Sequence, residues 1–358
     1  MRIQIILLFF FALPCALHAQ VAGFYTTEND LSLKWAKLPV RICINKSVPK
    51  EYHKNIIEAA EAWNRNFDKK LIDVQCSSKN PLSDLDNVDD HSIFWVAKDF
   101  KRYTDKTSLA RTLYAFDEKT ADFIDSDVVI NGETYNWKEV KIDLTTVLIH
   151  EMGHVLGLQH NFIFPQSVMN YYPYVGGYKK TNLESIDLLL IKKMYFDSKD
   201  NVPLYFKIFS KGDLEGAIKE LLTREKTLDA NELYALAMLF QKIHDLNSAI
   251  KYMSEYLKMV PNDFMALYKL GDLFWSKDNA DEAIKNFKKS IEISPNYYEP
   301  YVSLGVIYLK KNMREDAILN LKNTLKIQPA HYLACSLLFD LLKDKKYQKC
   351  FKKYAPEK

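Results

Sequence analysis

Apolar and polar positions alternate through LPVRICIN (38–45) and again through LIDVQC (71–76), SIFWVA (92–97), LARTLYAF (109–116) and DSDVVIN (125–131). This is the period-two rhythm of half-buried strands. Between the first two, VPKEYHKNIIEAAEAWNRNF (48–67) spaces its apolar residues at helical intervals behind a proline start. TTVLIHEMGHVLGL (145–158) and LESIDLLLIKKMY (183–195) predict two further helices. After the polar joint FDSKDNV (196–202) the alternation disappears and everything reads as helix. A 34-residue period then sets in: Pro261, Pro295 and Pro329 keep it, as do the pairs Ala249–Ile250, Ala283–Ile284 and Ala317–Ile318. Leu236, Leu270 and Leu304 share the register, with Gly271 and Gly305 after the latter two. Small residues at such places let paired helices approach closely.

Composition changes this picture only by adding a leader. With 358 residues, 48% of them hydrophobic, the chain can bury two cores, and a net charge of +3 with mixed signs gives no reason to expect nucleic acid. The first twenty residues, MRIQIILLFFFALPCALHAQ, place one arginine before an apolar run ending near a small-residue site. That pattern predicts a secretory signal peptide, 1–19, cleaved after Ala19, and a secreted or periplasmic protein. No other stretch is apolar for long enough to span a membrane. Cys15 follows ALP, a poor lipobox, so a lipid anchor is not expected there. The four remaining cysteines suit two disulfides, Cys43–Cys76 and Cys335–Cys350, or four free thiols.

The candidate chemistry is concentrated in HEMGHVLGLQH, 150–160, which holds three of the eight histidines. On a helix, His150 and His154 share a face, and Gly157 can end the helix with positive φ and return His160 as a third donor. Three imidazoles at about 2.0–2.1 Å, with a fourth position for water, describe a catalytic zinc site. Glu151, beside the first ligand, is placed to act as general base.

HEMGHVLGLQH resembles the HExxHxxGxxH motif of the metzincin zinc peptidases, and SVMNY (167–171) resembles their Met-turn, with Met169 beneath the metal. LESIDLLLIKKMY is similar to the C-terminal helix of the matrixin branch, which makes Asp187 the acidic residue bracing the Met-turn. The resemblance implies one catalytic zinc, an α+β domain at 20–197 with a mixed twisted sheet and an active-site helix, and a strand at 109–116 forming the upper rim of the substrate cleft. Two departures stand out. Matrixins carry proline two residues after the methionine, whereas this chain has Tyr171, as astacins and serralysins do; there the tyrosine stabilises the oxyanion, and Tyr171 is a second catalytic candidate. Matrixins also hold a structural zinc with upstream histidines, and only His53 and His91 lie between leader and motif. Asp84, Asp86, Asp89 and Asp90 offer calcium ligands without EF-hand spacing, so a solvated acidic loop is the simpler reading.

The 34-residue period resembles tetratricopeptide repeats, which implies an all-α solenoid over 198–358. About three good repeats are flanked by a degenerate one at 212–222 and a capping helix at 330–342. Tyr234, Tyr268, Asp272 and Trp275 are expected on a groove for a protein partner or substrate, although Trp275 also suits simple packing between helices. Two functions are open: a secreted zinc endopeptidase whose repeats recruit protein and whose catalytic half stands alone, or an inactive metzincin-like scaffold for assembly. The intact Glu151 favours the first.

Overall fold

The computed structural model describes residues 32–78, 91–170, 181–196, 198–199 and 202–355. The expected strands form one five-stranded sheet: β1 (Val40–Asn45), β2 (Ile72–Ser78), β3 (Ser92–Val96), β4 (Ala110–Phe116) and β5 (Phe123–Asn131). Their spatial order is β2-β1-β3-β5-β4. The first four in that order run parallel, and β4 pairs antiparallel with β5, so β4 is an edge strand. Helices α1 (His53–Asn64) and α2 (Leu144–Val155) pack together against the sheet. Every residue of α2 is buried, which the unbroken apolar run Val147–Ile149 requires.

Buried helix ends must find partners for their free backbone groups. At the start of α2, Asp143 accepts hydrogen bonds from the Thr146 amide (2.8 Å) and hydroxyl (2.7 Å). Further along, the indole of Trp63 donates to Ile149 O (2.9 Å), that of Trp35 to Val155 O (2.7 Å), and the Tyr195 hydroxyl to Leu156 O (2.9 Å). Three separate segments thereby fix the angle at which α2 enters the core.

Beyond α3 (Ser185–Tyr195) the chain forms five helical hairpins: α4–α5 (Leu204–Phe209, Leu214–Leu222), α6–α7 (Ala230–Lys242, Leu246–Met259), α8–α9 (Phe264–Ser276, Ala280–Ile293), α10–α11 (Glu299–Lys310, Arg314–Ile327) and α12–α13 (Tyr332–Leu342, Lys345–Tyr354). Each turns at one left-handed residue, Gly212, His244, Asp278, Asn312 or Lys343, with φ between 55° and 83°. In four of the five an aspartate or asparagine follows and caps the second helix: Asp213, Asp245, Asn279 and Asp344. The two periodic glycines do what their register suggests, since a Cβ on Gly271 would meet Phe287 at 2.7 Å and one on Gly305 would meet Leu321 at 2.8 Å. The expected capping helix is half of a hairpin, closed by a disulfide between Cys335 and Cys350. Cys43 is disulfide-bonded too, and the ladder places its backbone opposite Cys76. Among the described residues no helix is long and apolar enough to cross a membrane.

One expectation changes. The joint at 196–202 does not separate two cores: buried apolar residues form a single cluster from Leu33 through Leu273, sheet and early repeats included. Its link is aromatic. Phe162 packs on Phe209 (centroids 5.1 Å apart) and Phe164 on Phe206 (5.4 Å), while Lys242 lies over the Phe162 ring at 4.8 Å. Polar ties reach further along the solenoid, from Gln166 to Asp263 (3.3 Å) and from Gln328 to the Tyr135 hydroxyl (3.0 Å). Aromatic residues bury more area than any others, so a catalytic half cut off here loses part of its own core. Phe209→Ala should therefore cost the full chain about 3–5 kcal/mol. Calorimetry should show the sheet domain and the first repeats melting in one transition; two well-separated transitions, only the later part shifted by the substitution, would disprove the shared core.

Candidate metal centre

Helix α2 and the turn after it deliver the three histidines. Gly157 ends the helix with φ 94°, and a Cβ there would meet Leu33 O at 2.6 Å, so both conformation and space require glycine. The chain then reverses and brings the Nε2 atom of His160 to 2.9 Å from that of His150 and 3.1 Å from that of His154. Among the described residues this is the one group of three or more histidine, cysteine or carboxylate side chains close enough to share an ion.

Tautomers follow from the other ring nitrogens. His150 Nδ1 lies 2.7 Å from Val168 O, and His154 Nδ1 lies 2.7 Å from Leu158 O. A carbonyl only accepts, so both Nδ1 atoms carry the proton and both Nε2 atoms present a lone pair. Burial and the neighbouring imidazoles hold His154 and His160 well below the ordinary histidine range, hence neutral. The lone pairs of His150 and His154 both face His160 Nε2, and three ring nitrogens this close form a donor set that one cation can share. Bonds of about 2.0–2.1 Å in a tetrahedron place ligand atoms about 3.3 Å apart, so the donor set fits zinc with a small outward adjustment.

The Met-turn stands beneath this group. Asp187, fully buried, accepts from the Ser167 hydroxyl (2.5 Å), the Val168 amide (3.0 Å) and the Glu184 amide (3.0 Å). Ser167 in turn accepts from the Met169 amide and the Asn161 side chain. Asp187 thus holds Val168, whose carbonyl orients His150. Met169 is fully buried and lies against Gly153, where a Cβ would collide with its sulfur. Gly153 was not among the residues marked from the sequence, although its place between the two helical histidines was in view.

Glu151 is buried, and burial pushes its carboxyl up to about 7, against the opposing effects of Thr112 and of the Arg111 charge. The Thr112 hydroxyl lies 2.6 Å from Glu151 Oε2 and 3.1 Å from Glu151 O. No sequence signal marked Thr112, because it reaches Glu151 from β4, 39 residues earlier. Tyr171 and the aspartates at 84, 86, 89 and 90 lie outside the described residues.

The second candidate group, on the repeats, does not form one open groove. Tyr234 is 3% exposed and packs its ring on Tyr256, because α6 is buried without a break from Leu233 to Phe240. It belongs to the core, which corrects the groove assignment for this residue. Tyr268 is half-buried against Phe287 and Tyr297. Trp275 packs on the cluster of Phe287, Leu304 and Ile307, with Lys310 Nζ 4.4 Å above its ring. Asp272 is half-buried, and burial holds its carboxyl above the usual range despite the charge of Lys269.

Gly153→Ala should displace Met169, since Trp63, at 3.1 Å from the added Cβ, closes the other side. Overpacking of this kind costs about 1–3 kcal/mol. The Met-turn shift should also weaken zinc binding by loosening Val168 O from His150. Competition with a chromogenic chelator measures it, and wild-type zinc affinity in a variant of lowered melting temperature would detach the Met-turn from the metal centre.

Comparison with known proteins agrees with this geometry. Residues 46–196 match the matrixin peptidase family, and residues 271–312 match a tetratricopeptide repeat family. No curated protein matches the chain. Similar solved structures include MamA, at 23% identity and a TM-score of 0.39, covering 43% of this chain and 92% of that one. MamA from Desulfovibrio magneticus, residue 41 to its end, is 22% identical with a TM-score of 0.38, covering 42% and 89%. PilF of Pseudomonas aeruginosa is 17% identical with a TM-score of 0.38, covering 43% and 75%. Residues 46–196 are therefore similar to the matrixin domain, of a zinc-dependent metallopeptidase family, and similarity to a tetratricopeptide repeat follows at 271–312.

Proposed function

We propose that the protein is a secreted zinc-dependent endopeptidase, with His150, His154 and His160 holding the metal and Glu151 acting as general base. The observation that carries this reading is the convergence of the Nε2 atoms of three imidazoles, two of them with Nδ1 committed to a backbone carbonyl, with a buried glutamate next in sequence to the first. Bound zinc supplies a water of lowered pKa, about 7, and polarises the scissile carbonyl. Glu151 takes a proton from the attacking water and returns it to the leaving amine.

Edge strand β4 supports peptide as the substrate. Among the described residues its outer side has no strand partner in the sheet, so an extended chain can add to it through main-chain hydrogen bonds. In this proposal the repeats have two duties. The first hairpins complete the core under the metal centre, and the later ones offer surface to a protein substrate or partner. Secretion rests on the N-terminal segment, and Tyr171 remains our candidate for oxyanion stabilisation.

Two substitutions separate metal binding from chemistry. His154→Ala should lose zinc. Glu151→Ala should retain one zinc per chain while hydrolysis of an unstructured peptide falls by about 10²–10⁴-fold. Elemental analysis and peptide cleavage decide it, and a Glu151→Ala protein with wild-type turnover would end the proposal.

A further inference from the structure

Within the endopeptidase reading, on which this inference rests, Glu151 has to be a carboxylate when it takes a proton and a carboxylic acid when it gives one back. A fixed partner usually favours one state. A lysine favours the carboxylate through its charge, and a carbonyl holds only the acid. The neutral hydroxyl of Thr112 does neither. It has one proton and two lone pairs, and it stands 2.6 Å from Glu151 Oε2 and 3.1 Å from the main-chain oxygen of the same residue. While Glu151 is ionised, the hydroxyl donates to Oε2 and leaves Oε1 to take the proton from water. With that proton on Oε1, Oε2 is the carbonyl oxygen of the acid and still accepts from the hydroxyl, and the proton leaves for the amine from the oxygen that received it. Neither side chain has to move.

The fold makes this arrangement rigid. Thr112 pairs with Val128 across the ladder, and the period-two alternation of β4 points it to the same sheet face as Val128, toward α2. Branching at Cβ restricts its χ1 in a strand. Thr112 and Glu151 are each 5% exposed, so water does not compete for the contact.

We propose that Thr112 is the positioning residue of the general base, holding one oxygen of Glu151 through both protonation states so that the other stays available to water and leaving amine. The contact is between a hydroxyl and a charged acceptor, and losing such a bond changes an equilibrium or rate by about ten- to a hundredfold. Thr112→Val keeps the shape and the β-branch while removing the hydroxyl. Thr112→Ser keeps the hydroxyl and loses only a methyl group.

In the full-length protein, Thr112→Val should bind one zinc, lower kcat on an unstructured peptide by about ten- to a hundredfold and leave KM within about twofold. Thr112→Ser should recover most of the loss. A crystal structure of metal-free Thr112→Val should show the Glu151 carboxylate displaced, a readout that does not depend on activity. The proposal is overturned if Thr112→Val turns over at the wild-type rate, if valine and serine variants are equally slow, or if Glu151 stays in place without the hydroxyl. Glu151→Ala is assayed beside them. An inactive Glu151→Ala with a fully active Thr112→Val rejects the positioning role alone, whereas an active Glu151→Ala rejects the peptidase reading beneath it.

Discussion

A carboxylate taken wholly out of water needs partners for its oxygens, and Asp187 finds three within the protein. Those hydrogen bonds decide where Val168 lies, and Val168 O decides which way His150 faces. The metal centre thus depends on a polar contact that touches no ligand directly. Asp187 also closes the capping box of α3, so one side chain starts a helix and braces a turn 19 residues earlier. An apolar residue there leaves donors of both segments unsatisfied in a dry interior, which is why the constraint reaches so far.

The same economy appears around α2. A helix buried along its whole length gains apolar contact but cannot let water satisfy its end groups, and here Asp143, Trp35 and Tyr195 substitute for water, while Trp63 holds the Ile149 carbonyl within the helix. Asp143 is the helix's own cap, and the other three bonds come from distant parts of the chain. The helix that carries two histidines and the base is consequently held at several points, and rigid support of this kind keeps ligand geometry precise.

How much of this could be read in advance depended on distance along the chain. His150, Glu151, His154, Gly157 and His160 lie within one turn-and-helix, so their relative placement is local geometry and the spacing displayed it. Asp187 was legible through the resemblance of its helix to a known one. Thr112 and the two tryptophans act across 39, 86 and 120 residues, and strand order, which no local pattern encodes, brings them in. The repeats show the converse. Their 34-residue period was plain, yet the left-handed turn residues His244, Asp278 and Asn312 keep that period in conformation while differing in kind, so the letters concealed it. Tyr234 fell on the wrong side of the reading because register tells which helix face a residue occupies, not whether a neighbouring helix already covers it, as Tyr256 of α7 does here.

The shared aromatic seam has a temporal consequence. A ribosome delivers the chain from its N-terminus, and domains ordinarily fold as they emerge. Here the segment bearing all three histidines and the Met-turn is synthesised before Phe206 and Phe209, the rings that cover Phe164 and Phe162. Until the first hairpin follows, those phenylalanines lack these two ring partners. The maturation of the metal centre is therefore tied to the synthesis of a segment that contributes no atom to it, and the nascent protein passes through an interval with a sticky, unfinished flank.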